Sequence, residues 1–117
     1  MIERGHVYNA RFPHASGRSG KKRPVVVVQA DEYNQRLRHA VVAQMTTNMR
    51  DKDDPACLLI EAGTAEGQST GIVKDSVISG YLLSLMSEDR LQDRIGELSD
   101  ETMQKVDECL KAALGIS

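Results

Sequence analysis

The run of four valines at residues 25–28, which directly follows the basic segment 17–23, constrains this 117-residue chain most strongly. β-branched side chains fit a pleated, packed surface, so the run predicts a buried strand, and Pro24 is tolerated at its first residue. The segment before it is rich in glycine and serine and carries four cations: Arg18, Lys21, Lys22 and Arg23. A basic loop joined directly to a core strand suits the binding of an anion, with Arg23 positioned at the junction.

Length and composition predict a single domain spanning residues 1–117. No run of about 18 apolar residues occurs, so no membrane span is expected. The first residues contain no apolar stretch typical of a signal peptide. Cys57 and Cys109 have no metal-binding spacing, and we expect both to be free, buried thiols in a reducing cytoplasm.

Charge is distributed unevenly along the chain, although the net charge is only -2. Residues 1–50 contain nine Lys or Arg against three Asp or Glu, whereas residues 51–117 contain six against fourteen. This asymmetry favours a basic face for a polyanion, and an ordinary mixed surface is the alternative.

The hydrophobic pattern predicts a mainly β (α+β) fold, a small barrel-like sheet with a C-terminal helix and one or two short helical turns. Loops are expected at 14–22, 50–55 and 61–70, and helical turns at 30–35 and 87–91. The predicted strands lie within residues 4–12, 25–28, 40–45, 57–60, 71–74, 77–86 and 93–98.

The C-terminal helix has the clearest signals. Ser99 is a good N-cap and Gly115 is placed to end the helix. The apolar stripe that should pack on the sheet consists of Met103, Val106, Leu110, Ala113 and Leu114.

Two polar clusters could carry chemistry. The basic loop can bind phosphate, or it can be a solvated hairpin loop. Residues 46–48 (TTN) provide two hydroxyls and an amide at the end of a core strand, or they merely cap that strand. Neighbouring strands would bring the two clusters together, and a guanidinium beside a hydroxyl fits metal-independent phosphoryl transfer.

The histidines do not indicate a metal site, since His6, His14 and His39 are not spaced as metal ligands. His14 is the only group near the basic loop with an ordinary pKa close to 7. It could act as a base or an acid, or it could be a loop histidine without a role. His6 is expected to be structural or to face a dimer partner.

Several segments of the chain resemble one known family. Residues 4–7 (RGHV) resemble an opening RG-D/E-V/I strand, and residues 22–27 (KRPVVV) resemble a (K)RPVLV signature with Pro13 at the expected distance before it. Residues 44–48 (QMTTN) resemble an ITSN-like strand end, and residues 71–77 (GIVKDSV) a G-x-x-x-x-S-V segment. In this order and spacing, over nearly the whole chain, they are similar to the PemK/MazF family of toxin endoribonucleases.

The resemblance implies an SH3-like small β-barrel, a homodimer and a cognate antitoxin protein as partner. It also implies sequence-selective, metal-independent cleavage of single-stranded RNA by attack of the 2′-hydroxyl, with no cofactor. Arg23 and Thr46 match the family's catalytic arginine and threonine or serine. The residues expected to bind RNA are His14, Ser16, Arg18, Ser19, Lys21, Lys22, Thr47 and Asn48.

The sequence departs from the family pattern in two places. Arg18 and Ser19 stand where the loop often has Glu-Gln, and residues 82–85 (LLSL) stand where a later strand often has Gln-x-Arg-Thr. Ser79 and Tyr81 occupy positions that hold an arginine and an aspartate in some members. Two other functions stay open: a gyrase poison similar to CcdB, and a degenerate member that binds RNA or antitoxin without cutting.

Overall fold

The computed structural model describes residues 1–11 and 21–117. Within them the chain forms six strands, three α-helices and a short 3-10 helix at Glu88–Arg90. The strands are β1 (His6–Arg11), β2 (Lys22–Val27), β3 (His39–Thr46), β4 (Cys57–Ile60), β5 (Ser76–Ser87) and β6 (Asp93–Glu97). The helices are α1 (Asp31–Arg36), α2 (Ala65–Thr70) and α3 (Asp100–Leu114).

The strands form one curled antiparallel sheet, in the order β4-β5-β3-β2-β1-β6. The curvature makes it a half-barrel, and α3 packs against β4 and β5. This confirms the mainly β (α+β) prediction, a small barrel-like sheet with a C-terminal helix. No helix in the described ranges is long and apolar enough to cross a membrane.

Both faces of the central strands are buried. Val26 packs into a helix-side core, whereas its neighbours Val25 and Val27 point into an opposite core. The helix-side core consists of Val7, Val26, Ala43, Met45, Ile60, Ile72, Ile78, Leu98, Met103 and Val106. The opposite core consists of Ile2, Tyr8, Ala10, Val25, Val27, Ala40, Val42, Met86 and Leu91.

Helix α3 begins and ends where the sequence predicts. The Ser99 hydroxyl accepts a hydrogen bond from the Thr102 backbone N–H at 3.2 Å, and Gly115 adopts a left-handed conformation with φ of 70°. The predicted stripe is correct for Met103 and Val106, which are buried, but wrong for Leu114, which is 57% exposed. Leu114 lies in a mostly exposed last turn, and the Cys109 side chain is buried one turn earlier.

Residues 61–70, predicted to be a loop, contain α2. The Thr64 hydroxyl caps this helix by accepting from the Gly67 N–H at 3.0 Å. Gly67 weakens the helical pattern of the sequence, but only glycine fits, because a Cβ there would lie 2.1 Å from the Glu61 carbonyl oxygen.

The strand predicted at residues 71–74 is wrong as well. Gly71 ends α2 with φ of 78°, Ile72 is buried, and Val73 is 90% exposed in the turn that follows. The apolar pair at 72–73 therefore faces two different environments in a turn, and pairing with neighbouring strands begins only at Ser76. The helical turn predicted at 87–91 is the 3-10 helix, without a side-chain cap from Ser87.

We predict that Gly71→Ala lowers the free energy of unfolding by about 2–3 kcal/mol, because an L-residue is strained at this φ. The added Cβ would also lie 2.0 Å from the Ile95 carbonyl oxygen. Gly63→Ala is the matched control, since nothing lies within 4 Å of a Cβ at that position. Urea unfolding measures both; equal stability of the two variants would contradict this account of the turn.

Candidate functional site

Arg23 and Thr46 lie at the ends of adjacent strands. β2 and β3 pair antiparallel with Val25 opposite Gln44, and the same register carried two residues further sets Arg23 across from Thr46. Since side chains alternate along strands, both residues are on the face that holds the opposite core. Arg23 is exposed and makes no hydrogen bond or ion pair with any residue the structure describes. None of the described residues therefore occupies its guanidinium.

Thr46 and Asn48 form a compact turn after β3. The Thr46 hydroxyl accepts from the Asn48 backbone N–H at 3.1 Å, and the Asn48 side-chain oxygen accepts from the Arg50 backbone N–H at 2.9 Å. These are the local capping bonds that the sequence left open as an alternative. In both bonds the side-chain oxygen is the acceptor, so the Thr46 O–H and the Asn48 NH₂ can still donate hydrogen bonds.

A cleft of about 110 Å³ opens beside Thr46, between this turn and β5. Its lining includes a chain of polar contacts: the Tyr81 hydroxyl donates to Asp51 at 2.7 Å, and the Arg50 guanidinium donates to the same carboxylate at 3.2 and 3.3 Å. The residues around it are Thr46, Asn48, Arg50, Asp51, Cys57, Val77, Ser79, Tyr81 and Leu82.

These contacts set the protonation states in the cleft. The hydrogen bonds from Arg50 and then Tyr81 lower the pKa of the Asp51 carboxyl, so it stays ionised at neutral pH. The hydrogen bond to Asp51, followed by an interaction with Cys57 and by burial, raises the pKa of the Tyr81 phenol well above its usual range. Tyr81 is therefore a proton donor in hydrogen bonds, and it cannot serve as a general base near pH 7.

A large bulge in β5 brings Tyr81 to this position. Ala43 pairs with Leu83 and Met45 pairs with Ile78, so residues 79–82 of β5 stand against the single residue Gln44 of β3. The bulge requires Gly80, because a Cβ there would lie 2.7 Å from the Ala56 carbonyl oxygen and 2.9 Å from that of Cys109. Gly80 also donates its N–H to Ala56 at 2.8 Å, which fixes the bulge against the 47–56 loop.

Lys22 and Thr47 line a different cleft, of about 230 Å³, together with Met45 and the exposed Val73. Lys22 forms an ion pair with Asp93 at 3.3 Å. Strand alternation explains the separation, since Lys22 and Thr47 each neighbour a residue of the Arg23/Thr46 face and so point the other way. The predicted RNA-binding residues thus divide between two surfaces at the same edge of the sheet.

Lys21 and four loop residues complete the set of predicted RNA-binding residues. Lys21 is exposed just before β2. The other predicted RNA-binding residues, His14, Ser16, Arg18 and Ser19, lie outside the described residues. Within the described ranges no group of three or more His, Cys, Asp or Glu side chains is arranged to hold a metal ion.

His6, predicted to be structural or to face a dimer partner, is buried, and its Nε2 lies 3.0 Å from the Glu3 carboxylate. Burial, followed by the charge of Arg94, lowers the pKa of this imidazole. Cys57 and Cys109 are free and buried, as predicted.

Sequence reasoning missed Asp51 and Tyr81. It treated residues 50–55 as a charged surface loop and Tyr81 only as a departure from a family pattern. The contact between them spans 30 positions of the chain and depends on the β5 bulge, for which Gly80 was the one local signal.

Comparison with known proteins agrees with this architecture. The model of the PemK-like, MazF-like toxins of type II toxin–antitoxin systems matches residues 3–114. Endoribonuclease EndoA of Bacillus subtilis is 34% identical over 117 residues, covering 99% of this chain and 97% of that protein. Endoribonuclease MazF6 of Mycobacterium tuberculosis is 30% identical over 118 residues, covering 99% of each.

Solved structures show the same fold. A mycobacterial endoribonuclease in complex with its cognate antitoxin superposes with a TM-score of 0.80 at 21% identity, covering all of this chain and 98% of that one. A MazE–MazF structure from Deinococcus radiodurans gives 0.76 at 19% identity, covering 99% and 98%. With a family model that spans almost its whole length, this chain belongs to the PemK-like, MazF-like toxins of type II toxin–antitoxin systems.

Proposed function

We propose that the chain is an endoribonuclease that cuts single-stranded RNA without a metal ion and acts as the toxin of a toxin–antitoxin pair. The observation that carries this proposal is the common edge and face of Arg23 and Thr46 on neighbouring strands. The endoribonucleases EndoA and MazF6, identical at 34% and 30% of aligned positions, support it independently.

In the proposed reaction the 2′-oxygen of one nucleotide attacks the adjacent phosphorus, and the bond to the 5′-oxygen of the next nucleotide breaks. The products carry a 2′,3′-cyclic phosphate and a 5′-hydroxyl. A base takes the proton of the attacking hydroxyl and an acid protonates the leaving oxygen. Among the candidate residues, His14 is the group with an ordinary pKa close to 7.

Arg23 stabilises the negative charge that develops on the phosphate and on the leaving oxygen. Thr46 donates its hydroxyl proton to a phosphate oxygen or orients the attacking hydroxyl. It is not assigned as the base, because an alcohol is too weak an acid to serve as a base unaided. Preorganised charge and hydrogen-bond donors of this kind supply most of the stabilisation that phosphoryl transfer requires. The backbone bond that holds Thr46 favours such preorganisation.

Arg23→Ala is expected to lower the rate of RNA cleavage about a hundredfold or more, as the loss of one charge-stabilising group does. The fold should survive, because the side chain is exposed at the start of β2. Arg38→Ala is the control, since Arg38 is also an exposed arginine next to a strand. Single-turnover cleavage of a labelled RNA measures both; wild-type rates for a folded Arg23→Ala variant would exclude Arg23 from catalysis.

The proposed partner in the cell is an acidic antitoxin segment. The cleft that Lys22 and Thr47 share is lined by two cations, Lys22 and Lys74, and by apolar side chains that include the buried Ile72 and the exposed Val73. Disordered acidic segments with apolar anchors fold onto surfaces of this composition. Met45 lines this cleft but is only 2% exposed, so it serves the core first and the cleft floor second.

The homodimer implied by the resemblance stays a prediction. A measurement of the molecular mass of the protein in solution tests it. Leu82 and Leu85 of β5 are 40% and 62% exposed, and a second copy of the chain could cover them.

An acidic antitoxin peptide and an uncleavable RNA should exclude each other from the protein, because both would pair with the cations around Lys21, Lys22 and Arg23. Added salt should weaken both complexes, since each replaces counterions at charged groups. Competition binding with a fluorescent, fully 2′-O-methylated RNA measures this. A stable ternary complex of peptide and RNA on one protein would show that the antitoxin inhibits from elsewhere.

A further inference from the structure

Aromatic side chains are scarce in this chain, which has three tyrosines, one phenylalanine and no tryptophan. Tyr8 is buried at 5% exposure, and Tyr33 lies on α1 with the Arg36 guanidinium 5.3 Å from its ring centroid. Tyr81, by contrast, is 46% exposed and lines the cleft that also contains Thr46. An exposed aromatic ring beside the proposed reacting phosphate is the kind of surface on which proteins stack unpaired bases.

The cleft is small for a site that holds a whole small molecule. At about 110 Å³ it is much smaller than the 300–1,000 Å³ that pockets for whole small molecules occupy. A single ring that projects from a longer chain needs only such a volume, since the sugar and phosphate stay outside. Val77, Ser79 and Cys57, which are all buried, form its floor, and Leu82 lies at its rim.

The polar groups of the cleft are held in fixed positions. The Asn48 oxygen is used by Arg50, which leaves the Asn48 NH₂ as a donor. Asp51 accepts from Tyr81 and Arg50 and retains lone pairs for a further donor. A nucleobase whose edge presents a donor beside an acceptor satisfies both groups, since the donor faces Asp51 and the acceptor faces the Asn48 NH₂.

We propose that this cleft binds one unstacked nucleobase of the RNA next to the scissile phosphate, with its ring on Tyr81 and its hydrogen-bonding edge on Asn48 and Asp51. The cleft then contributes base recognition at one position of the cleavage sequence. This inference rests on the proposed function for its ligand, because single-stranded RNA is what presents such a base near Thr46. It adds a recognition site that is separate from the charges that bind phosphates.

The test is an abasic scan combined with substitution of Tyr81. The probe is a 2′-O-methyl oligonucleotide with the sequence that the wild-type protein cuts most readily, or, where it cuts none, one selected from a random pool by binding. One position at a time is made abasic, and affinity is measured by fluorescence anisotropy for wild type, Tyr81→Ala and Tyr81→Phe. Tyr33→Ala is the matched control, since Tyr33 is 43% exposed on α1 and does not line the cleft.

Removing the base at one position should weaken binding to wild type about tenfold, and it should weaken binding to Tyr81→Ala clearly less, because that variant already lacks the stacking partner. Tyr81→Phe keeps the ring and loses only the bond to Asp51, so it should keep most of the loss on removal of that base, whereas Tyr33→Ala should match wild type. Asp51→Asn should relax the base preference at that same position and no other.

Three results would overturn the inference. In the first, every abasic position affects wild type and Tyr81→Ala equally. In the second, Tyr81→Phe binds as weakly as Tyr81→Ala, because then the hydroxyl matters through its hold on the 47–56 loop and the ring does not stack. The third is the failure of any oligonucleotide to bind. If the protein cleaves RNA but no abasic effect depends on Tyr81, this inference fails and the proposed function stands. If an abasic effect depends on Tyr81 but the protein does not cleave RNA, only the proposed function is contradicted.

Discussion

Burial of β2 on both of its faces is the constraint on which the site depends. Val26 packs into the helix-side core and Val25 and Val27 into the opposite core, and each is completely buried. Each such side chain contributes about 1.5–3 kcal/mol, and a slip of one residue would exchange the two sets of side chains between the cores. The register with β3 is thereby fixed, and it sets Arg23, just before the buried segment, across from Thr46.

The second determinant is the β5 bulge, which holds an irregular loop beside a regular strand end. Gly80 lets the strand approach Ala56 and Cys109 of α3, and the Tyr81 hydroxyl then reaches Asp51 of the loop. The same loop supplies Asn48, whose backbone N–H binds the Thr46 hydroxyl. The bulge and the proposed base-binding cleft therefore share residues. This is why the conservative change from tyrosine to phenylalanine, which removes only the hydroxyl, separates the two roles.

The fold was predictable where local pattern and tertiary environment agree. Consecutive valines, the Ser99 cap and the Gly115 stop each specify their element through neighbouring residues, and the structure contains all three. Helix α2 was missed because Gly67 weakens its helical pattern, although that glycine is required by contact with Glu61. The turn at 71–74 was mistaken for a strand because Ile72 and Val73 look alike in sequence, and only one of them meets the core.

The site was predictable in part for the same reason. Arg23 and Thr46 stand beside apolar strands that the sequence makes plain, so their alignment follows from strand pairing. Lys22 and Thr47 line a different cleft because successive side chains of a strand point to opposite faces of the sheet. The sequence prediction grouped these polar residues without applying that rule. Asp51 and Tyr81 were not predictable, since only the folded chain brings them within 2.7 Å.

The central claim is metal-independent cleavage of RNA through its own 2′-hydroxyl. The most direct measurement is incubation of the wild-type protein with a mixed-sequence single-stranded RNA in EDTA, followed by sequencing of the fragments and analysis of their ends. The account predicts discrete cuts with 2′,3′-cyclic phosphate and 5′-hydroxyl ends. Cleavage that requires an added divalent ion, ends with 5′-phosphate, or intact RNA alongside inhibited gyrase would contradict it.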